Sequence, residues 1–342
     1  MEKKKLFIAT GIYPPQVGGP AQYAKELAKS FRDADWEVIV RRYKLEFKLP
    51  TGIRHLFYFF KIIPAVIQAD LIIALDTYSV GLPATIAARI FNKKIIIRTG
   101  GDFLWEWYVE RTGEKILLRN FYLAGRSKWT KKEKLTFFLT RLTLRLASIV
   151  VFSTEWQRQI WTKPYRLAKV KTALIENYFG PKESFTLPVG KVFLGAARPL
   201  VWKNLDTLAK AFLAAKFIDG DLRLDLELAP YGEFLTKMKE AYAIILVSIG
   251  DISPNLILDA IRLGKPFILT RETGLYEKLR GVGIFVDPLN EKEIKDKVLE
   301  LTQPLEYAKW RSRVEQFTYT HTWDEIRDEF INLSDKIVWL KS

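Results

Sequence analysis

Short apolar runs alternate with amphipathic stretches along the first half of the chain. The runs are rich in β-branched residues, which is typical of strands buried on both faces of a parallel sheet. The stretches between them have helical periodicity and are long enough to cross back over such a sheet. The first half is therefore predicted to form a doubly wound α/β domain. The predicted strands are 4–10, 37–40, 71–75, 94–98, 149–152 and 173–176, and the predicted helices are 21–33, 52–67, 81–91 and 129–147.

The same alternation begins again after residues 180–190, a segment with two prolines and two glycines that is typical of a linker. A final amphipathic helix over 322–340 starts with Thr322 as a candidate N-cap and Glu325 three residues later. The second series comprises strands 192–196, 222–228, 244–247, 267–269 and 283–286, and helices 203–216, 232–242, 254–263 and 273–280. We predict a first domain over 1–180, completed by helix 322–340, a linker over 181–190 and a second domain over 191–321.

The residue types present narrow the chemistry that the 342-residue chain can perform. The absence of cysteine excludes a thiolate nucleophile, a zinc–thiolate site and an iron–sulfur cluster. Only two histidines, His55 and His321, are available, and they lie far apart in the sequence. We therefore expect no metal site and no cofactor, and a reaction carried by oxygen and nitrogen groups.

The net charge of +15 is unevenly distributed along the chain. Residues 1–180 hold 31 Lys and Arg against 15 Asp and Glu, a balance of +16, whereas the remainder holds 23 against 24, a balance of −1. This asymmetry predicts that one domain meets an anionic partner. The most lipophilic stretch, Leu56–Ile67, is interrupted by Lys61 and Pro64 and is too short to span a bilayer. We expect a cytoplasmic protein that lies peripherally on the cytoplasmic face of the membrane.

Two loops at predicted strand ends carry candidate anion-binding groups. Gly18 and Gly19 follow the first strand and precede a helix, where a glycine pair lets the backbone approach a ligand and the helix offers N–H groups. A ligand-free strand-to-helix connection would use the same residues. In the second half, Arg198 and Lys203 follow the first strand, at the edge where open α/β sheets bind ligands. Two fixed cations there suit a diphosphate, although either could be a solvated surface charge.

The segment from Ser248 to Ala260 carries the most specific pattern. A strand leads into a loop with Asp251, and Ser253-Pro254 begins a helix on which Asp259 shares a face with Asn255. A helix start can hold a phosphate, and flanking carboxylates can accept hydrogen bonds from sugar hydroxyls. A helix cap beside an exposed acid is the alternative interpretation.

In order and spacing, these three motifs resemble glycosyltransferase family 4, a retaining family of GT-B fold. The resemblance spans nearly the whole chain and includes Gly264-Lys265-Pro266 and residues 70–83. It implies two Rossmann-like domains that face a cleft, with the C-terminal helix returning to the first domain. The implied activity is nucleotide-sugar-dependent hexosyl transfer in glycan biosynthesis, onto a sugar or lipid-linked glycan of the cell envelope.

The resemblance also implies a role for each candidate residue. Arg198 and Lys203 correspond to the cations that neutralise the donor diphosphate, and Gly18 and Gly19 to the loop that approaches the donor. Asp251 corresponds to the acid near the donor sugar, and Asp259 to the acid that binds ribose hydroxyls. The phosphate would contact the backbone of the segment that comprises Ser253, Pro254, Asn255 and Leu256.

Three departures distinguish this chain from the family pattern. Both acids of the family's glutamate pair are aspartates here, and each is one methylene shorter. The family's glycine-rich loop with its extra strand–helix unit is not found between 228 and 242, so the nucleobase cannot be inferred. Where many relatives carry a histidine facing the reacting sugar, this chain has Asp102, which is a candidate catalytic residue or the end of a Gly-Gly turn.

A non-catalytic relative that binds an anionic membrane or another polyanion is the alternative function. It would explain the aspartate replacements and the basic first half. Lys128–Lys134 around Trp129, and the aromatic residues of 54–67 beside Arg54 and Lys61, favour a membrane surface. No motif supports nucleic-acid binding.

Overall fold

The computed structural model describes residues 3–339 apart from 17, 196–198 and 228, and the side chains of 338 and 339 are not described. The strands are β1 Lys5–Thr10, β2 Glu37–Arg42, β3 Leu71–Ala74, β4 Ile95–Arg98, β5 Ile149–Phe152, β6 Thr172–Leu174, β7 Val192–Gly195, β8 Arg223–Asp225, β9 Ala243–Leu246, β10 Phe267–Thr270 and β11 Ile284–Val286. The helices are α1 Gly19–Asp33, α2 Thr51–Gln68, α3 Gly81–Ile90, α4 Phe103–Thr112, α5 Leu118–Phe121, α6 Lys131–Leu146, α7 Glu155–Tyr165, α8 Leu205–Lys216, α9 Tyr231–Glu240, α10 Asn255–Arg262, α11 Tyr276–Leu279, α12 Glu291–Leu301, α13 Pro304–Gln316 and α14 Trp323–Trp339. Short 3-10 turns occur at Leu45–Lys48, Lys169–Lys171 and Val201–Lys203.

The chain folds into two compact units. The first unit comprises Met1–Leu104, Arg126–Asn177 and Thr322–Ser342, and the second comprises Trp105–Gly125 and Tyr178–His321. The second unit thus includes residues 105–125, which the sequence analysis assigned to the first domain. The reason is a set of contacts between this segment and the second sheet, described below.

The first unit is built on six parallel strands in the order β2-β1-β3-β4-β5-β6. The inner strands are almost entirely apolar, as in Leu71–Ala74, because helices cover both faces of the sheet. The predicted doubly wound α/β organisation is confirmed. The sheet's carboxyl edge carries the loops in which ligands bind in such folds.

Helix α14 belongs to the first unit, as predicted, and packs on helix α1. The Ser30 hydroxyl donates to the Trp323 carbonyl oxygen at 3.0 Å, and the rings of Tyr23 and Trp323 meet edge-on with centroids 5.1 Å apart. The predicted cap is present, since the Glu325 N–H donates to the Thr322 hydroxyl and the Glu325 carboxylate accepts from the Thr322 N–H. Each end of this reciprocal pair satisfies an otherwise unbonded N–H of the first helical turn.

The second unit contains five parallel strands in the order β11-β10-β9-β7-β8. The predicted linker, residues 181–190, is hydrogen-bonded to this unit. The Lys182 ammonium donates to the Ile261 carbonyl at 2.8 Å, and the Val189 N–H donates to the Glu240 carbonyl at 2.9 Å. Burial lowers the pKa of Lys182 to about 8. Residues 181–190 therefore form part of the second unit.

Candidate functional site

Lys203 and Asp251 meet at the carboxyl edge of the second sheet. The Lys203 Nζ lies 2.7 Å from the Asp251 Oδ2, and the Ser248 hydroxyl donates to the same oxygen at 3.3 Å. The two charged side chains are only 11% and 13% exposed. They follow β7 and β9, which are neighbours in the sheet, so strand topology brings together two residues that are 48 positions apart in the sequence.

Asn204 anchors the loop that carries Lys203. Its backbone is left-handed, with φ of 60°, and its side-chain amide donates to the carbonyl oxygens of Val247 at 3.1 Å and Pro288 at 2.7 Å. The Thr207 hydroxyl in turn donates to the Asn204 side-chain oxygen. This buried network ties the loop after β7 to the end of β9, which holds the ammonium of Lys203 in one position.

The backbone of Asp251 is also fixed. Its N–H donates to the Glu272 carbonyl oxygen at 2.8 Å, and the residue forms a β-bridge with Thr273 after strand β10. The Glu272 carboxylate accepts from the Arg119 Nε at 2.8 Å, and burial raises the pKa of Glu272 in spite of this cation. Asp251 therefore has a rigid frame to which residues 105–125 contribute.

Residues 105–125 lie directly against the loop before Asp251. The Leu118 N–H donates to the Ile249 carbonyl oxygen at 3.2 Å, and the rings of Trp105 and Trp202 are 5.9 Å apart. A Cβ added to Gly250 would lie 2.7 Å from Leu118 and 2.8 Å from Trp105, closer than real Cβ contacts. Only glycine fits between Ile249 and Asp251 while this segment is docked.

Helix α10 begins at Asn255, one residue after the predicted start, with Pro254 at the N-cap and no side-chain cap. Because α10 follows β9, its amino end lies at the carboxyl edge of the sheet and directs the positive end of the helix dipole there. Ser253, Pro254, Asn255 and Leu256 thus occupy the predicted position. This end of a helix is suited to a phosphate.

Asp259 lies on the same helix but belongs to a different polar cluster. Its carboxylate is 3.1 Å from the Arg262 guanidinium and accepts from the Tyr231 hydroxyl at 3.1 Å. Burial raises the pKa of Asp259, although Arg262 and Tyr231 act in the opposite direction. Arg262 also pairs with Glu183, so Asp259 is tied to the segment after residue 180. Among the described residues, Asp251 and Asp259 share no hydrogen-bond partner.

Gly18 and Gly19 occupy the loop after β1 in the first unit. Gly18 has φ of 146°, a backbone conformation that favours glycine, and α1 begins at Gly19. The helix lacks a side-chain cap, and the Ala21 N–H donates to the Gly18 carbonyl. The predicted glycine turn and helix start are therefore present.

Asp102 lies in the interior of the first unit. The residue is 1% exposed, and its carboxylate accepts from the Trp161 indole N–H at 2.8 Å. This arrangement favours a role in positioning α7 against the turn at 100–102 over contact with a substrate. A catalytic role for Asp102 stays a prediction.

Arg198, the second predicted phosphate-binding cation, lies outside the described residues. In the part of the chain that the structure describes, no group of three or more His, Asp or Glu side chains is arranged to hold a metal ion.

Several features of this site have no clear sequence signal. The Arg119–Glu272 pair joins residues 153 positions apart, and Tyr231 reaches Asp259 from another helix. The sequence feature that could have indicated close packing here is Gly250, which directly precedes Asp251 and leaves room for Leu118 and Trp105.

Comparison with solved structures gives full-length matches. The chain is similar to sucrose-phosphate synthase from Thermosynechococcus elongatus, with a TM-score of 0.66 and 12% identity, over 99% of this chain and 100% of that chain. It is also similar to Anabaena HepE in complex with UDP-glucose, with a TM-score of 0.64 and 13% identity, over 98% of each chain. The lipopolysaccharide outer core galactosyltransferase WaaB matches with a TM-score of 0.59 and 13% identity, over 99% of this chain and 100% of that chain.

These matches, together with the two parallel sheets, define the fold as GT-B. No family model and no curated protein sequence matches the chain. At identities of 12–13% the likeness concerns the fold.

Proposed function

We propose that this chain is a retaining glycosyltransferase that moves a sugar from a nucleotide diphosphate to an acceptor hydroxyl. The observation that carries the proposal is the Lys203–Asp251 pair, buried at the carboxyl edge of the second sheet beside the amino end of α10. A fixed cation, a carboxylate and a helix dipole together match the groups of a sugar diphosphate. The GT-B fold and the UDP-glucose bound to HepE support this choice of donor.

In this mechanism Lys203 exchanges partners. The donor diphosphate takes the place of Asp251 on the ammonium, and Asp251 then accepts a hydrogen bond from a hydroxyl of the donor sugar. The bond between the anomeric carbon and the diphosphate oxygen breaks while the acceptor oxygen bonds to that carbon on the same face. The acceptor proton passes to the departing diphosphate, whose charge Lys203 and the helix dipole stabilise.

The other predicted residues complete the donor site. Arg198 would be a second cation on the diphosphate, and Asp259 would exchange the Tyr231 hydroxyl for a ribose hydroxyl. Gly18 and Gly19 remain predicted donor-binding residues. We propose that the reaction requires no divalent metal, because Lys203, Arg198 and α10 would supply the positive charge.

The test is nucleotide release from a panel of UDP-, GDP-, ADP- and TDP-sugars, with and without lipid-linked acceptors. We expect one donor to be consumed by the full chain, and consumption to fall in Lys203→Met but persist in Lys210→Met, which removes an exposed lysine of the same unit. If every donor remains intact and no nucleotide binds, the non-catalytic alternative is favoured.

The acceptor is proposed to be lipid-linked because helix α2 presents an apolar face to solvent. The helix is apolar toward the core as well, where Tyr58, Ile62, Ala65 and Val66 are buried. The exposed face, here called the apolar stripe, has helical spacing, and its large side chains are 44% to 61% exposed. The apolar stripe consists of Ile53, Leu56, Phe57, Phe60, Pro64 and Ile67.

The apolar stripe is flanked by Leu45 and Phe47, which are also exposed, and by Lys44 and Lys48. An apolar face bordered by cations is typical of helices that lie in the interface of an anionic membrane. In the described part of the chain, no helix is long and apolar enough to cross a bilayer.

The prediction that Trp129 contributes to a membrane surface is wrong. Trp129 is only 5% exposed, and its ring packs on Phe137 with centroids 5.6 Å apart. A side chain that fills the core cannot enter a membrane interface. The lysines from 128 to 134 are exposed and remain candidates for electrostatic attraction.

Sedimentation with phosphatidylglycerol vesicles tests the membrane proposal. Burying two partly exposed phenylalanines is worth about 2 kcal/mol, so Phe57→Ser with Phe60→Ser should weaken vesicle binding roughly 30-fold. Leu213→Ser with Phe217→Ser, which alters two exposed apolar side chains of the second unit, is the control. Equal binding by the stripe variant and the wild type would exclude docking through α2.

A further inference from the structure

The first unit contains a cavity of about 500 Å³ at the edge strand β2. Five of its eight lining residues are cations, an unusual concentration of one charge around a single cavity. It is here called the cationic pocket. Its lining residues are Tyr13, Pro14, Arg32, Val40, Arg41, Arg42, Lys44 and Lys61.

Arg42 is held in place without losing its charge. Its guanidinium donates to the carbonyl oxygens of Tyr13 at 2.7 Å and Pro14 at 2.8 Å, in the loop after β1. Two neutral acceptors orient the group but do not neutralise it. The remaining donors of the guanidinium keep the fork geometry that suits a phosphate.

Lys61 is the one cation of the pocket with an acidic partner among the described residues. Its ammonium lies 2.6 Å from the carboxylate of the buried Glu46 and also donates to the Arg42 carbonyl. Burial would raise the pKa of Glu46, but the hydrogen bonds from Lys61 and the Lys44 N–H outweigh it and lower that pKa. Glu46 is therefore a carboxylate whose charge Lys61 balances.

The other four cations have no carboxylate in ion-pair contact within the described residues. They are Arg32, Arg41, Arg42 and Lys44, and after Lys61 and Glu46 cancel, the pocket holds a balance of four positive charges. Like charges gathered around one cavity repel each other, so the arrangement favours an anionic occupant. A neutral glycan would not neutralise these charges.

The cationic pocket borders the apolar stripe. Lys61 lies on α2 one helical turn from Phe57 and Pro64, and Lys44 directly precedes Leu45 in the exposed 3-10 turn. A lipid whose chain lies along the stripe would carry its phosphate to the pocket. The apolar stripe and the cationic pocket therefore fit the chain and the phosphate of a single lipid.

We propose that the cationic pocket binds the phosphate or diphosphate that joins the acceptor glycan to its lipid. This inference rests on the proposed function, because it assigns the acceptor class of the same enzyme. Four unbalanced cations and a cavity of about 500 Å³ favour a diphosphate over a single phosphate. The pocket would hold the acceptor by its charged head and leave the glycan unbound.

The first experiment uses calorimetry with soluble geranyl diphosphate and the full chain, without any donor. The test variant combines Arg41→Gln with Lys44→Gln and leaves Arg42 in place, because Arg42 also supports the loop at 13–14. The control combines Lys29→Gln with Lys163→Gln, which removes the same charge from exposed positions outside the pocket. We expect the test variant to bind at least tenfold more weakly and the control to bind within twofold of the wild type.

Inorganic pyrophosphate and vesicles identify the source of the phosphate. Pyrophosphate should bind more weakly than geranyl diphosphate, because it cannot contact the stripe. Phosphatidylcholine vesicles doped with polyprenyl diphosphate should bind the protein more tightly than vesicles of equal charge doped with phosphatidylglycerol. This preference should disappear in the Arg41/Lys44 variant.

Four results would overturn the inference: an unchanged affinity in the test variant, an equal loss in the control, equal binding of pyrophosphate and geranyl diphosphate, or no preference between the two vesicles. Loss of geranyl diphosphate binding in Lys203→Met instead would assign the ligand to the second unit and would also overturn it. None of these measurements requires a sugar donor, so they can fail while donor turnover succeeds, or the reverse.

Discussion

Replacing Lys203 with methionine tests the proposed donor site most directly. Methionine keeps the unbranched apolar stem and deletes the ammonium that lies 2.7 Å from the Asp251 carboxylate. The loop itself should persist, because Asn204 anchors it through Val247 and Pro288. An incoming diphosphate would then lose a cation and meet a carboxylate without its partner.

Two contributions set the size of the effect. Loss of a hydrogen bond to a charged group costs about 1.5–3 kcal/mol. Repulsion between Asp251 and one phosphate charge about 6 Å away adds up to about 3 kcal/mol at an effective dielectric constant of about 20. The sum, about 3–5 kcal/mol, corresponds to a dissociation constant raised roughly 200-fold to 5,000-fold. Because Asp251→Asn removes the repulsion, the double variant should recover roughly tenfold or more of the affinity lost in Lys203→Met.

Calorimetric titration of UDP and GDP measures these differences, with Lys210→Met as a charge-matched control on α8. Thermal unfolding of each variant should verify that the second unit remains folded. The reasoning is refuted if Lys203→Met binds nucleotide as tightly as the wild type. It also fails if Asp251→Asn weakens binding further in the double variant, because the carboxylate would then not oppose the phosphate.

The remaining predictions concern neighbouring positions. Asp251→Glu should keep measurable turnover and Asp251→Asn should lose most of it, because the amide has neither the charge nor the full acceptor capacity; equal rates in all three forms would assign Asp251 a structural role. Gly250→Ala should destabilise the second unit by about 1–3 kcal/mol, seen as a lower melting temperature and altered Trp105–Trp202 fluorescence. Gly232→Ala is its control, since nothing lies within 4 Å of an added Cβ there. An unchanged melting temperature in Gly250→Ala would contradict the close packing of residues 105–125.

Local sequence pattern predicted the strands well because parallel strands are buried on both faces. The predicted strands 149–152 and 244–247 coincide with β5 and β9 or differ from them by one residue. Helix α14 and its Thr322 cap were equally predictable, since the capping box is a local signal. The observed strand β8 is shorter than the predicted 222–228, and Leu228 lies outside the described residues.

The position of residues 105–125 could not be predicted, because contacts that are distant in the sequence decide it. Aromatic residues indicate that the segment packs, but they do not identify the surface on which it packs. The Arg119–Glu272 pair and the Leu118 N–H bond to Ile249 appear only once both sheets exist. For the same reason, the proline- and glycine-containing segment 181–190 resembled a linker although it is tied to α10 and α9.

The candidate site was predictable to the extent that strand ends determine it. The sequence predicted that Lys203 lies at the carboxyl edge of the sheet and that Asp251 lies in a loop that follows a strand. Their direct ion pair depends on the order of β7 and β9 in the sheet, which periodicity does not reveal. The sequence pattern likewise did not predict that Asp102 and Trp129 are buried, because a polar or amphipathic residue in a short segment can face either the core or solvent.

The shorter acid at position 251 is compatible with an active site because both of its supports are rigid. The Asp251 N–H is bonded to the Glu272 carbonyl, and the loop of Lys203 is anchored by Asn204, so the carboxylate reaches the ammonium without a longer side chain. A glutamate at this position would have to fold back to keep the same contact with Lys203, because both backbone segments are held by hydrogen bonds. The loss of one methylene relative to the family pattern therefore fits a site in which the cation lies closer to the acid, and the aspartate alone is not evidence for a non-catalytic protein.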